Sequence, residues 1–455
     1  MQAGFAMLEV GSVGAKHTKN LLIKNLLDLS VAAVMWWSFG WGIAFGEKSS
    51  SGDFNQFLGP GAFFVRGEQF ADDTGNYSTT QGYNYALWLF QWSFSGAAVT
   101  IVSGAVGERI GMSGYFLFAQ LMVGFIYPLI LARESNIQEA TGQQQGQAFH
   151  CLLLNACRAH LQVHASGGIA ALVLVILLGP RLNRYTEKGV SVKMERQSVI
   201  MQTLGAFILW LGWYGFNGCS TLYITGSSHT AAKAMVTTTI SAAAAGLGVA
   251  SASLIVFQHV GPDQVINGIL SGLVAITAGC AVVEIEGALL IGMISAINYL
   301  ALSRLLDLVR IDDMVDAVPV HLANGVWGVI AAGLFASEEG YSSAYYPERS
   351  QRCCGFLYGC GAAQLLANAL FILVILCWVA VTTLAIGLFA KFMGVLRISK
   401  DMELKGADCV AHGGSDLPEF AISMLAKLEN LTALAGHTSH LESSTTAANG
   451  EHHHG

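Results

Sequence analysis

The sequence predicts an all-α polytopic membrane protein, and three observations predict it. Only 12% of the 455 residues are charged and 53% are hydrophobic, whereas soluble chains carry about 25% charged residues. A chain this long with so few charges cannot cover its own surface in water. Apolar runs of roughly 20 residues, the length that crosses a bilayer, recur along most of the chain, and the mean hydropathy is +0.52. The 52 glycines suit the same class, because small residues let membrane helices approach closely. The net charge of −7 gives no sign of a nucleic-acid partner.

The elements follow in order. The opening "MQAGFAMLEVGS" is apolar, but as a helix it would rise only about 18 Å against a hydrocarbon core of about 30 Å. It lacks the basic start and longer apolar run of a signal peptide, so it reads as the second half of a truncated span. Full spans follow near 26–46, 84–106, 112–132, 164–180, 198–220, 232–256, 264–282, 285–303, 318–336 and 362–390. The loop holding Lys16, Lys19 and Lys24 is assigned to the cytoplasm and the sides alternate from there. Cytoplasmic segments then hold 16 of the 23 Lys and Arg, the bias that orients membrane proteins. The expected topology is eleven spans, the first truncated, with the N-terminus outside and the C-terminus inside. Residues 1–394 are then the membrane domain and 395–455 a cytoplasmic tail. In that tail "DLPEFAISMLAKLENLTAL" reads as a short amphipathic helix, and the polar stretch after about 436 reads as disordered. The sequon at Asn76 falls in an outer loop, as glycosylation requires.

The nine cysteines show no CxxC pair or zinc-like spacing. Cys353, Cys354 and Cys360 share an outer loop where a disulfide is possible; free thiols are the expectation. No metal cluster, nucleophile arrangement or phosphate loop is visible, so an enzyme and a bound cofactor are not expected.

Ionisable groups deep in the spans are few, so His164 and His321 stand out. Each opens a run rich in Gly and Ala, "HASGGIAALVLVILLG" and "HLANGVWGVIAAGLF". A histidine in a span is a functional-site hypothesis by default. Two unrelated histidines, each held by a backbone carbonyl, is the alternative at even weight. Aromatic residues crowd a second place: "NYALWLFQWSFSGAA" sets Phe90 and Phe94 four apart, and "LWLGWYGFNGCS" gathers Trp213, Phe216 and Ser220 at spacings of three and four. Such aromatics more often pack or face lipid. A hydroxyl one turn beyond a Phe can also help hold a small cation against ring faces.

These segments, with "MQAGFAMLEVGS", "FQWSFSGAAVTIVSGAVGERI", "LSGLVAITAGC" and "DDMVDAVPVH", resemble in order the segments of ammonium transporters of the Amt type, from residue 1 to about 414. The resemblance implies an eleven-span fold made of an inverted repeat of two five-helix halves. It also implies a homotrimer with one pore per subunit, ammonium or ammonia as substrate, and a plasma-membrane location. By the same resemblance Phe94 and Phe216 match stacked phenylalanines gating the outer end of the pore, with Trp213 in support. Ser220 matches the hydroxyl of an outer recruitment site. His164 and His321 match twin pore histidines bonded to each other. Asp316 matches a carboxylate preceding the second histidine, with helix capping or loop pairing an equal alternative. The implied mechanism is deprotonation of ammonium at the outer site, conduction of ammonia, and nitrogen uptake. An ammonium sensor and a non-transporting or mis-spliced homologue are the rival readings.

Two stretches depart from the family pattern. Glu134 stands where the family's outer-site Trp is expected, and Ala156 where an acidic residue precedes His164 by eight; residues 131–162 read as an altered exon, a frame shift or divergence. In the tail segment "KGADCVAHGG", Val410 replaces a Thr that plant relatives can phosphorylate.

Overall fold

The structure, a computed structural model, describes residues 1–45, 63–66, 79–132, 161–222, 225–344 and 353–413. The expectations for Asn76, for most of 131–162 with Glu134 and Ala156, and for the tail beyond 413 lie outside these residues. Among those described, no β-strand occurs and the apolar runs all become helix. They are α1 (Gln2–Ser12), α2 (Ala15–Phe45), α3 (Gly82–Val106), α4 (Met112–Ala132), α5 (Gln162–Leu178), α6 (Val199–Thr221), α7 (Ser228–Phe257), α8 (Pro262–Thr277), α9 (Ile285–Leu308), α10 (Val318–Phe335) and α11 (Ala363–Phe392). Eight of these are long and apolar enough to cross a membrane; α1, α5 and α8 are shorter. Two short tail helices follow, α12 (Lys400–Lys405) and α13 (Ala407–His412).

The packing repeats itself. Helix α1 packs on α3 as α6 does on α8, α2 on α4 as α7 on α9, and α3 on α5 as α8 on α10. Because equivalent helices are five apart in an alternating thread, each pair runs in opposite directions, which is an inverted repeat. The two halves meet along α1 with α6 and along α5 with α10, and α11 lies across α4, α5 and α10. Glycine makes the first of these seams close: a Cβ on Gly4 would stand 2.8 Å from Leu209 Cγ and 2.9 Å from its amide N.

The ends of α3, α5 and α11 and the start of α10 share one face, here the tail face. Arg181, just past α5, donates to Asp312 Oδ1 and Oδ2 (2.9 and 2.8 Å) and to Glu108 (3.0 Å). Arg397 of the tail donates to Pro180 O and to Glu403, and Glu403 also accepts from Leu182 N. Burial alone would raise the Asp312 carboxyl, but the Arg181 and Arg109 guanidiniums hold it well below the usual carboxylate range. Glu108 is likewise lowered, because Arg181 and the Gly14 amide outweigh its burial. Asp408 of α13 accepts from Lys19 N and Asn20 N, capping the regular α-helical part of α2 that begins at Thr18.

Two expectations need correcting. Lys24 is not a loop charge: α2 begins about ten residues earlier than the apolar run, and Lys24 is fully buried within it. Its ammonium donates to Gly107 O (3.1 Å) and Ile110 O (3.4 Å) beyond the end of α3, carbonyls that favour a cation. The thiols are not free: Cys354 is joined to Cys360, whose Cα atoms stand 5.4 Å apart, and Cys353 is disulfide-bonded too.

Candidate functional site

The two histidines meet. His164 Nδ1 and His321 Nδ1 are 3.2 Å apart, the rings 5.2 Å between centroids and 15° from parallel. Both are buried, at 1% and 5% exposure. Each sits in a π-helical turn, Leu161–Ala165 and Val318–Ala323, at the start of its helix. The second turn contains Pro319 among its first two residues, where a proline is tolerated because the N–H it lacks would find no partner in the helix. Such widened turns concentrate at functional sites.

Glycine brings the two backbones together at matched offsets. A Cβ on Gly168, four residues after His164, would stand 2.5 Å from Leu322 N and 2.7 Å from its Cα. A Cβ on Gly325, four residues after His321, would stand 3.1 Å from Ala165 N and 3.3 Å from His164 Cβ. Leu322 and Ala165 each directly follow the opposite histidine, so the contact is its own mirror across the repeat. The shared H-x-x-x-G spacing is visible in sequence; that the two copies face each other is not.

The aromatic residues line up beside His164. Trp213 stacks on it at 5.3 Å and 7°, and Phe216 lies 5.6 Å away. Phe94 and Phe216 meet edge to face at 4.2 Å, and Phe90 meets Phe94 at 4.3 Å. Phe94, Phe216 and Trp213 are all buried. Ser220 is half-buried one turn past Phe216, and its hydroxyl donates to Phe216 O at 2.6 Å. That donation uses the hydroxyl's one proton, so its remaining lone pairs can only accept.

Asp316 does not join this group. It takes a left-handed backbone (φ 60°) just before α10, a conformation Asp tolerates better than most residues. Its carboxylate accepts from Tyr299 (3.0 Å), Ser303 (3.1 Å) and Asn267 (3.4 Å), tying the start of α10 to α8 and α9. The capping role falls to Asp313, which accepts from Val318 N at 2.6 Å. Asp313 is pushed up to about 7 by burial and by the Asp316 charge.

Two residues emerge only in three dimensions. Thr277, at the end of α8, accepts from Trp213 Nε1 at 2.9 Å and so holds the indole that stacks on His164. Phe5 of α1 places its ring 6.4 Å from His321. Neither contact has a signal in local spacing, since the partners are far apart in the chain. Among the described residues no group of His, Cys, Asp and Glu is arranged to hold a metal ion.

Comparison with known proteins gives one answer. The Ammonium Transporter Family description matches residues 1–417. Ammonium transporter 1 member 2 of Oryza sativa is 34% identical over 417 residues, covering 89% of this chain and 80% of its own. A solved structure named Sensor Amt Protein matches with TM-score 0.76 and 27% identity, over 91% of this chain and 94% of that one. Mep2 of Candida albicans matches with TM-score 0.73 and 25% identity, over 88% and 83%.

Proposed function

Because the chain belongs to the ammonium transporter family, we propose that it takes ammonium at the face opposite the tail, removes a proton and conducts ammonia past its twin histidines. The buried His164–His321 pair is the observation that carries this reading. A charged side chain at mid-membrane costs about 2.5–3.5 kcal/mol on insertion scales and about 10–17 in simulations, and an ammonium ion stripped of water meets a barrier of the same origin. Removing its proton costs about 1.4 kcal/mol per unit between its pKa and the ambient pH. An apolar passage flanked by Phe94 and Phe216 therefore favours the neutral molecule.

The facing Nδ1 atoms supply the proton route. One must donate and the other accept, so one histidine exposes an accepting Nε2 and the other a donating Nε2–H. A proton taken up at the accepting Nε2 and released from the other ring reverses both tautomers. The pair thus passes a proton without either ring staying charged. At the entrance, Ser220 offers a hydroxyl that can only accept, suited to an N–H donor. Trp213 holds the His164 ring and Asp316 braces the start of α10.

Orientation follows the charge bias, with the tail face cytoplasmic. The Cys354–Cys360 disulfide supports an extracytoplasmic loop, since cytosolic thiols are kept reduced. We place the chain in the plasma membrane as a homotrimer, in which exposed apolar side chains such as Phe207 and Leu211 meet lipid or a second copy. Sensing is a second reading, supported by the likeness to the structure named Sensor Amt Protein. Growth of ammonium-uptake-deficient yeast on low ammonium tests transport. The chain should restore growth, and His164→Ala or His321→Ala, checked for surface expression, should lose it. Failure of the expressed parent chain to restore growth would count against transport and leave sensing.

A further inference from the structure

A second built site lies on the tail side of the histidine pair. Leu8 is one turn along α1 from Phe5, whose ring adjoins His321. With Ser12, Gln202, Ile266, Asn267 and Val315 it lines a cavity of about 10 Å³, enough for one molecule the size of water or ammonia. Arg196 and Asp263 line this cavity and also both larger clefts beside it, of 310 and 710 Å³. They are joined by an ion pair at 2.6 Å and border all three spaces, while Gln202 also borders the 710 Å³ cleft and Ser12 the 310 Å³ one. Asp263 lies in the first turn of α8, where the helix dipole favours a carboxylate. Gln202 Nε2 donates to Ser12 Oγ at 3.0 Å. Its carbonyl Oε1 has no hydrogen-bond partner among the described residues, although Gln202 is only 2% exposed. A buried acceptor left without a donor is costly, and a small N–H donor in the cavity would satisfy it.

We propose that this cavity is an inner exit site for one ammonia molecule, which donates to the Gln202 carbonyl and is closed off from the clefts by the Arg196–Asp263 ion pair. The inference rests on the transport reading and adds a station after the histidines. The neutral molecule suits it, because the guanidinium and carboxylate together offer a cation no net charge. Both members of the pair are 30% exposed, so water competes for each charge and the closure opens readily.

The test uses the full chain in liposomes, with ammonia flux read by an internal pH dye. In an Arg196→Cys/Asp263→Cys variant, flux is measured before and after a short methanethiosulfonate crosslinker, then after dithiothreitol. Crosslinking should cut flux at least fivefold and the reductant should restore it, while either single cysteine variant shows no such reversible change. Gln202→Leu should lower maximal flux several-fold with the half-saturating external ammonium unchanged, and Gln202→Glu should recover part of it. Undiminished flux in the crosslinked double variant, or in folded Gln202→Leu, overturns the exit site while transport stands. A parent chain with no flux overturns both.

Discussion

Trp213 shows how one hydrogen bond sets the geometry of the histidine pair. The indole lies flat on His164 while its N–H is held by Thr277. Thr277→Val keeps the volume and removes the acceptor, leaving a buried N–H at a cost of about 1–3 kcal/mol. The purified variant should melt several degrees below the parent and Thr277→Ser close to it; equal melting of Val and Ser variants would remove the positioning role. At this scale the sequence was legible where chemistry and depth conflict. His164 and His321 stand out because polar rings are unusual in spans of small residues, whereas Phe94 and Phe216, which meet edge to face rather than stacked, drew notice through the family resemblance. Thr277 and Phe5 were not legible, because a threonine or phenylalanine in an apolar run looks like any other. Lys24 misled for the opposite reason: hydropathy counts its charge and cannot see the carbonyls of Gly107 and Ile110 that receive it.

Between elements, the close approach of α5 and α10 depends on Gly168 and Gly325. The clearances rank them: a methyl at Gly168 would collide with Leu322 backbone at 2.5 Å, and at Gly325 it would meet Ala165 N at 3.1 Å. Overpacking of this kind costs about 1–3 kcal/mol, with the larger cost at Gly168, where the backbone is met at the shorter distance. Gly168→Ala should therefore lose more flux and more thermal stability than Gly325→Ala; the reverse order would contradict the packing. The Gly-rich composition announced close helices, but not which pair.

The cluster that ties the element ends has a pH signature. Asp312 and Glu108 are depressed in the fold, so they stabilise it above their unfolded values and that contribution is lost as pH falls through the folded ones. Asp313, raised to about 7, works the other way and weakens the fold as pH rises from about 4 through 7. Asp312→Asn leaves Arg181 and Arg109 short of a buried counter-charge, a loss of about 3–5 kcal/mol at neutral pH. Its melting temperature should fall well below the parent's at pH 7, with the gap closing in strong acid. A gap unchanged with pH would rule out ionised Asp312 as the source.

For the whole molecule, length, charge and apolar runs were enough to place the apolar helices α1 to α11 among the described residues, because the bilayer imposes a ruler on sequence. The positive-charge bias suggested a threading, and an alternating thread with equivalents five apart requires the inverted repeat that the packing displays. What no run of residues contains is the meeting of the halves, where α5 and α10 bring two distant histidines within 3.2 Å. Transport through that meeting point is tested most directly by stopped-flow ammonium flux into liposomes holding the purified chain, beside liposomes holding His164→Ala and His321→Ala. The parent should equilibrate faster than protein-free lipid, and either variant should fall at least roughly tenfold, the rate effect of about 1.4 kcal/mol. Parent liposomes no faster than protein-free lipid, or histidine variants as fast as the parent, would contradict conduction past the pair.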